Sequence, residues 1–279
     1  MKRNKTACIL IPIYKPLSEL TESEKRSISN TINVLNSYDI YLFGPKKLEF
    51  QEYNNYFNYV FLHKKFKSSF FNSVTDYSNL LLGSFFYKKF INYEYFLIVQ
   101  EDAWVFRDDL DYWCNQDYDF IGAPWFKRIV LFDRNISFLG VGNGGFSLRN
   151  VKKMVSVLKR ICYLKMIYSI WVSLRVNKVC NFNTMVLRLN FYFKIKAFWE
   201  IPSILNCETI QEDEFYGHIV SKLFRDFKIA PVSEALKFSF EVNPRFLYEL
   251  NNNQLPFGCH AWEKYDRDFW NEHLEFNQT

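Results

Sequence analysis

In FLIVQEDAWVF, residues 96–106, four apolar residues run straight into Gln100, Glu101 and Asp102, and aromatics with Val105 follow at once. The run Tyr95–Val99 reads as a buried strand. Acidic groups set into an apolar run are costly unless they bind something. On an extended chain alternate side chains share a face, so Gln100 and Asp102 are expected together, with Glu101 on the opposite side bracing the loop. A carboxylate and an amide oxygen at a strand end can hold Mg²⁺ or Mn²⁺ together with substrate phosphate oxygens. A carboxylate that caps the next turn fits the same residues.

The segments upstream share one rhythm. Ala7–Ile13 reads as a first buried strand ending at Pro12 and Pro16. Thr21-Glu22-Ser23-Glu24 is a capping box, and Ile28, Ile32 and Leu35 follow at helical spacing. Asp39–Phe43 is a second strand, closed by Gly44-Pro45, and a third is expected near Tyr59–Leu62. A helix over Val74–Phe90 then leads into Tyr95–Val99. Strands alternating with helices predict an α/β fold, a mostly parallel central sheet flanked by helices. Ligands bind such sheets beyond the carboxyl ends of the strands, where Gln100, Glu101 and Asp102 lie.

With 279 residues, 49% hydrophobic and 20% aromatic, the chain can bury a large core. A formal charge of +5 is too mild to point to nucleic acid. The 6 cysteines are scattered without a C-x-x-C pair, which reads as reduced thiols in a cytosolic protein. The apolar run of MKRNKTACILIPIY is too short for a signal peptide, and no 18-residue apolar stretch predicts a membrane span. The expected location is cytoplasmic, with peripheral contact at the inner face of the membrane.

Downstream the pattern changes. Asp108–Cys114 reads as a short helix and Asp119–Trp125 as a strand entering a loop. GVGNGGFSLRN, residues 140–150, holds Gly140, Gly142, Gly144 and Gly145 of the chain's 9 glycines. Glycines let backbone N–H groups approach a ligand closely, though a tight connection explains them equally. Between 151 and 199 every charge is basic, with Lys152, Lys153, Lys159 and Arg160 interleaved with Val155, Leu158 and Ile161. That segment is expected to be a basic helical insertion, either docked on an anionic membrane surface or solvated over the core. Cys207–Phe224 reads as a helix carrying Glu212-Asp213-Glu214. Crowded carboxylates raise one another's pKa, which suits a general base; an acidic first turn favoured by the helix dipole also fits. Ala235–Glu241 is expected as a strand or edge segment, and a short aromatic helix closes the chain. His260, in the loop PFGCHAW, is either a metal ligand or a packed imidazole. No linker or repeat divides the chain, so 1–279 is expected to be a single domain.

Together ILIPIYKP, YSNLLLGSFFYKKFINYEYFLIVQEDAWVF, DFIGAPWF, GVGNGGFSLRN, EDEFYG and LPFGCHAW resemble a family of bacterial glycosyltransferases first defined as a domain of unknown function. That family is found among polysaccharide biosynthesis genes and is similar to the GT-A superfamily. The resemblance implies a GT-A-like (Rossmann-like) domain in which residues 1–106 bind a nucleotide-diphosphate sugar and 107–279 form the acceptor and catalytic half. Pro12, Ile13 and Tyr14 would lie near the base and ribose. Gln100-Glu101-Asp102 would stand at the Asp-x-Asp metal motif, with Asp102 matching the second Asp and Gln100 replacing the first. His260 would complete the Mg²⁺ or Mn²⁺ site. Gly144, Gly145 and Phe146 would border donor and acceptor, and Asp213, beside Glu212, would be the base of an inverting transfer. The implied acceptor is a glycan or lipid-linked sugar of capsule, O-antigen or lipopolysaccharide. Two other readings are a nucleotidyltransferase, against which the absence of glycine after the first strand counts, and a non-catalytic, membrane-docked carbohydrate-binding protein.

Overall fold

A computed structural model describes residues 5–127, 137–176 and 211–274. Its centre is a six-stranded sheet of β1 (Lys5–Pro12), β2 (Asp39–Pro45), β3 (Leu62–Phe66), β4 (Tyr93–Val99), β6 (Phe120–Ile121) and β9 (Phe146–Asn150). Their order is β3-β2-β1-β4-β9-β6. The first four strands are mutually parallel, and β9 runs antiparallel to both of its neighbours. Alternation along the strands supplies two cores. Cys8, Leu10, Phe96 and Ile98 face one side, while Ala7, Ile9, Ile11, Tyr95, Leu97 and Val99 face the other.

The crossover helices sit where the sequence places them, with local departures. In α1 (Glu22–Val34) the capping box is complete: Glu24 N–H donates to Thr21 Oγ1 at 3.2 Å, and Thr21 N–H donates to Glu24 Oε2 at 2.7 Å. After α2 (Gln51–Phe57) the third strand begins where the expected one ends. Its exposed Leu62, His63 and Lys65 argue against a buried strand, yet they suit the sheet edge that β3 occupies. The single helix expected over Val74–Phe90 is two, α3 (Val74–Leu81) and α4 (Ser84–Lys88). The break falls at Gly83, whose extended ψ of 120° caps the second piece.

The second half holds α5 (Leu110–Cys114), the hairpin β7 (Pro124–Phe126) and β8 (Phe138–Val141), and α6 (Val151–Val176). The expected basic segment is thus helical up to Val176, and 177–199 lies outside the described residues. Next comes α7, which starts as Glu212–Glu214, continues in π geometry over Phe215–Val220 and ends as Ser221–Leu223. The first residues of the expected Cys207–Phe224 helix, 207–210, also lie outside. Instead of a strand or edge segment over Ala235–Glu241, α8 (Val232–Phe238) precedes a two-residue β10 (Ser239–Phe240). Ala235 and Phe238 are buried at helical spacing behind the start at Pro231, so the period of three outweighs the alternation. The remaining elements are α9 (Pro244–Leu250), β11 (Gly258–Cys259) and α10 (Arg267–His273).

A three-stranded sheet in the order β10-β11-β5, with β5 at Trp104–Val105, packs beside the main one. It ties the C-terminal loop to the strand end after β4. That loop is also held to α1, where Trp262 Nε1 donates to Ser27 Oγ at 3.1 Å and Ser23 Oγ donates to Glu263 Oε2 at 2.6 Å.

Candidate active site

Strand β4 ends at Val99, and the next residues turn sharply: Ala103 N–H donates to Gln100 O at 3.0 Å. Two sheet registers then bring distant residues to this turn. In the main sheet Val99 pairs with Phe146, so Gln100 N–H donates to Gly145 O at 2.8 Å. In the small sheet Cys259 pairs with both Trp104 and Phe240. His260 and Glu241 directly follow two of those paired residues, and Asp102 lies two before Trp104 in the turn, so the three meet. His260 Nδ1 lies 3.1 Å from Glu241 Oε1, and its Nε2 lies 2.9 Å from Gln100 Oε1 and 3.2 Å from Asp102 Oδ1. Burial disfavours the imidazolium, but hydrogen bonds to Asp102 and Glu241 outweigh it and push the His260 pKa up to about 10. Burial likewise works against the Asp102 carboxylate, yet His260 holds it below the usual range.

Gln100 and Asp102 thus reach one atom, as expected, although a turn rather than an extended chain delivers Asp102. Glu101 points to the other side. It is 5% exposed, hydrogen-bonded to the Tyr14 hydroxyl, and pushed up to about 6 by burial. It braces Tyr14, whose ring is 51% exposed at the cavity.

The cavity has a volume of about 560 Å³ and opens beyond the C-terminal ends of β1 and β4. Pro12, Tyr14 and Gln100 line it on one side, and Asn143, Gly144, Gly145, Glu212 and Asp213 on another. Lys264, Glu241 and His260 complete the wall. Ile13 and Phe146, expected at the donor, are core residues instead. Ile13 is 2% exposed, with its N–H on Phe43 O; Phe146 is fully buried against Phe238 and Phe257. Each neighbours a cavity residue and so faces the opposite way.

The glycines of the loop 142–145 make room. A Cβ on Gly144 would sit 2.4 Å from Glu212 Oε1, and one on Gly145 would sit 2.1 Å from His260 Nε2. Close approach, rather than a left-handed backbone, is what demands glycine here. The α7 helix closes in through Gly217, where a Cβ would lie 2.2 Å from Val141 O. Asp213 then accepts from Gly144 N–H at 3.0 Å and from Glu214 N–H at 2.8 Å. Burial and the neighbouring Glu212 charge push its pKa up to about 7. Glu212 turns inward to Arg149 Nη2 at 2.7 Å.

Sequence reasoning missed three of these groups. Glu241 meets His260 only through pairing of two-residue strands. Asn143 adopts a left-handed φ of 69°. Arg149 is fully buried on β9, and a charge inside a strand is the signal that could have marked it.

For a divalent cation, Asp102 Oδ1, Gln100 Oε1 and His260 Nε2 form a converging set of two oxygens and one imidazole nitrogen. That set suits Mn²⁺ better than Mg²⁺. Glu241 behind Nδ1 is the kind of outer carboxylate that orients a metal-binding histidine. Among the described residues no three His, Cys, Asp or Glu side chains cluster as a metal site, so a cation here would also need the amide oxygen of Gln100.

Among curated proteins, none matches the chain. Among solved structures, a glycosyltransferase involved in glycosylation of the major capsid of PBCV-1 is 12% identical, with 96% of this chain and 100% of that one covered, at a TM-score of 0.41. The glycosyltransferase GlyE of Streptococcus pneumoniae TIGR4 is 15% identical, with a TM-score of 0.46, covering 97% of this chain and 60% of that one. Residues 61–260 match the family described as "Protein of unknown function (DUF5672)", and the chain belongs to that family.

Proposed function

We propose that this protein is a GT-A-like glycosyltransferase that moves a sugar from a nucleotide-diphosphate donor to a hydroxyl acceptor. One observation carries the reading. One cavity at the carboxyl ends of parallel strands sets Gln100 and His260, the latter paired with Asp102, across a glycine loop from a carboxylate of raised pKa, Asp213.

The chemistry assigns each wall a task. Pro12 and Tyr14 take the base and ribose. His260 and Lys264 put positive charge near the diphosphate, where negative charge develops on departure. A Mn²⁺ or Mg²⁺ held by Asp102, Gln100 and a His260 that has given up its Nε2 proton would replace the imidazolium charge and supply electrostatic stabilisation of that leaving group. Asp213 accepts the acceptor's hydroxyl proton as the new C–O bond forms and the bond to the diphosphate oxygen breaks. A base opposite the leaving group inverts the anomeric centre.

Thermal shift with a panel of UDP- and GDP-sugars tests the reading. Melting temperature should rise with nucleotide sugar, rise further with Mn²⁺, and lose the Mn²⁺-dependent part in Asp102→Ala. Absence of stabilisation by any nucleotide, with or without metal, would remove the proposal.

The acceptor we propose is a glycan or lipid-linked sugar of a bacterial surface polysaccharide. No helix among the described residues is long and apolar enough to cross a membrane, so α6 is the candidate for surface contact. Two of its cations are engaged internally, Arg160 with Asp226 at 2.9 Å and Lys153 with Asp119 at 3.6 Å. Lys152 and Lys159 are exposed, as are Tyr163 and Met166 further along the helix. Co-sedimentation with phosphatidylglycerol vesicles should fall when Lys152 and Lys159 are both changed to Glu. Unchanged sedimentation would show that α6 is a solvated face.

A further inference from the structure

We propose that Asn143 is a specificity-determining residue, its side-chain amide donating to a hydroxyl of the transferred sugar. This rests on the glycosyl-transfer reading. Asn143 is 2% exposed and lines the cavity, yet its Nδ2 has no hydrogen-bond partner among the described residues. Buried donors are almost always paired, so an orphan at a cavity wall marks a place for a ligand atom.

The local geometry fixes which atom is left over. Gly145 N–H donates to Asn143 Oδ1 at 2.8 Å, which sets the amide orientation and leaves the NH₂ as the unpartnered end. The residue stands at a φ of 69°, a conformation that Asn tolerates and most side chains do not. Loop and side chain are therefore set before any ligand arrives.

Its neighbours select a hydroxyl over a phosphate. Gly144, the next residue, donates its N–H to Asp213 and presses its Cα against Glu212. A phosphate here would bring its charge against the Asp213 carboxylate. A hydroxyl can accept from Nδ2 and still donate to a carboxylate. Diphosphate is better served by Lys264 and by His260, which brings positive charge to the lining either as an imidazolium or through a cation it holds. Asn143 also directly precedes Gly144, which is bound to Asp213, and Gly145, which packs on His260, so it belongs to the loop between the acidic wall and the His260 wall, where a sugar joining diphosphate to acceptor has to sit.

Calorimetry on the full chain with Mn²⁺ tests this, using the panel of UDP- and GDP-sugars and the parent UDP and GDP. Asn143→Gly keeps the backbone conformation and adds no charge. Asn143→Asp keeps the clasp on Gly145 and turns the donor into an acceptor. Both should weaken the preferred nucleotide sugar about tenfold or more. In Asn143→Gly, affinity for the parent nucleoside diphosphate should be unchanged. Wild-type affinity for the nucleotide sugar in Asn143→Gly would overturn the proposal, and so would an equal loss for the diphosphate alone. If the wild-type chain binds no nucleotide sugar at all, the glycosyl-transfer reading itself falls, and this assignment with it.

Discussion

Changing Asp213 to Asn should lower turnover by about 10²–10⁴-fold, the usual contribution of a positioned general base, and leave nucleotide-sugar affinity nearly intact. Both carboxylate oxygens already accept a backbone N–H, from Gly144 and from Glu214, so the group is held in one orientation. A carboxylate has about four lone-pair sites, and those not used by the backbone remain for the acceptor hydroxyl. Burial and Glu212 raise the pKa to about 7, so wild-type activity should climb with pH through that value. The same shift predicts a stability effect of opposite sense. Asp213 binds its proton more tightly in the folded state than in the unfolded chain, so its contribution to stability falls as pH rises from the ordinary value of 3.8 to about 7. Above that window the full cost of a buried charge is present, and Asn removes it. In urea unfolding, the stability of Asp213→Asn relative to wild type should therefore be higher at pH 8 than near pH 4, on top of a pH-independent loss because the Asn NH₂ cannot accept one of the two backbone N–H bonds. A variant that is fully active, or equally stable relative to wild type at both pH values, would move the base away from Asp213.

Much of this frame is written locally. The runs Ala7–Ile13, Asp39–Phe43 and Tyr95–Val99 declare buried strands by composition alone. Thr21 and Glu24 declare a helix start through a bond pattern three residues long. Gln100, Asp102, Asp213 and His260 stand out because polar groups interrupt apolar or glycine-rich surroundings. What the sequence hides is set by pairing between distant segments. Nothing near Glu241 says that Phe240 will lie beside Cys259, and without that register its contact with His260 is invisible. Ile13 and Phe146 share motifs with cavity residues, but the two-residue period turns them into the core. Around Ala235 the apolar residues fit periods of two and three, and only packing decides between them. Gly83 splits a stretch whose apolar pattern runs on regardless, because the pattern reports the buried face and not the continuity of backbone bonds.

Arg149→Met should destabilise the fold by about 3–5 kcal/mol, the range for stripping one partner from a buried ion pair. Arg149 is fully buried and donates from Nη2 to Glu212 Oε1 at 2.7 Å, from Nε to Ser147 Oγ at 3.1 Å and from Nη1 to Tyr87 Oη at 3.3 Å. Its guanidinium also lies over the Phe120 and Tyr216 rings, 5.4 and 5.8 Å from their centroids. Burial alone would favour losing the charge, but Tyr87 and Glu212 more than offset it and the pKa is raised. Methionine fills much of the same space yet leaves Glu212 buried without its cation. The cost comes from that orphaned carboxylate, because a hydrophobic pair of similar volume can replace a buried ion pair at little loss. Arg149→Met combined with Glu212→Leu should therefore recover most of the stability in urea unfolding, whereas equal losses in the single and double variants would assign the cost to packing around the guanidinium. The pH profile separates this pair from simple scaffolding. Glu212 raises the Asp213 pKa and Arg149 lowers it. Removing Arg149 alone should move the rising limb of activity to higher pH. Removing both leaves Asp213 without its carboxylate neighbour and should move that limb to lower pH, with Gly144 still donating to Asp213 and the base still aimed at the acceptor.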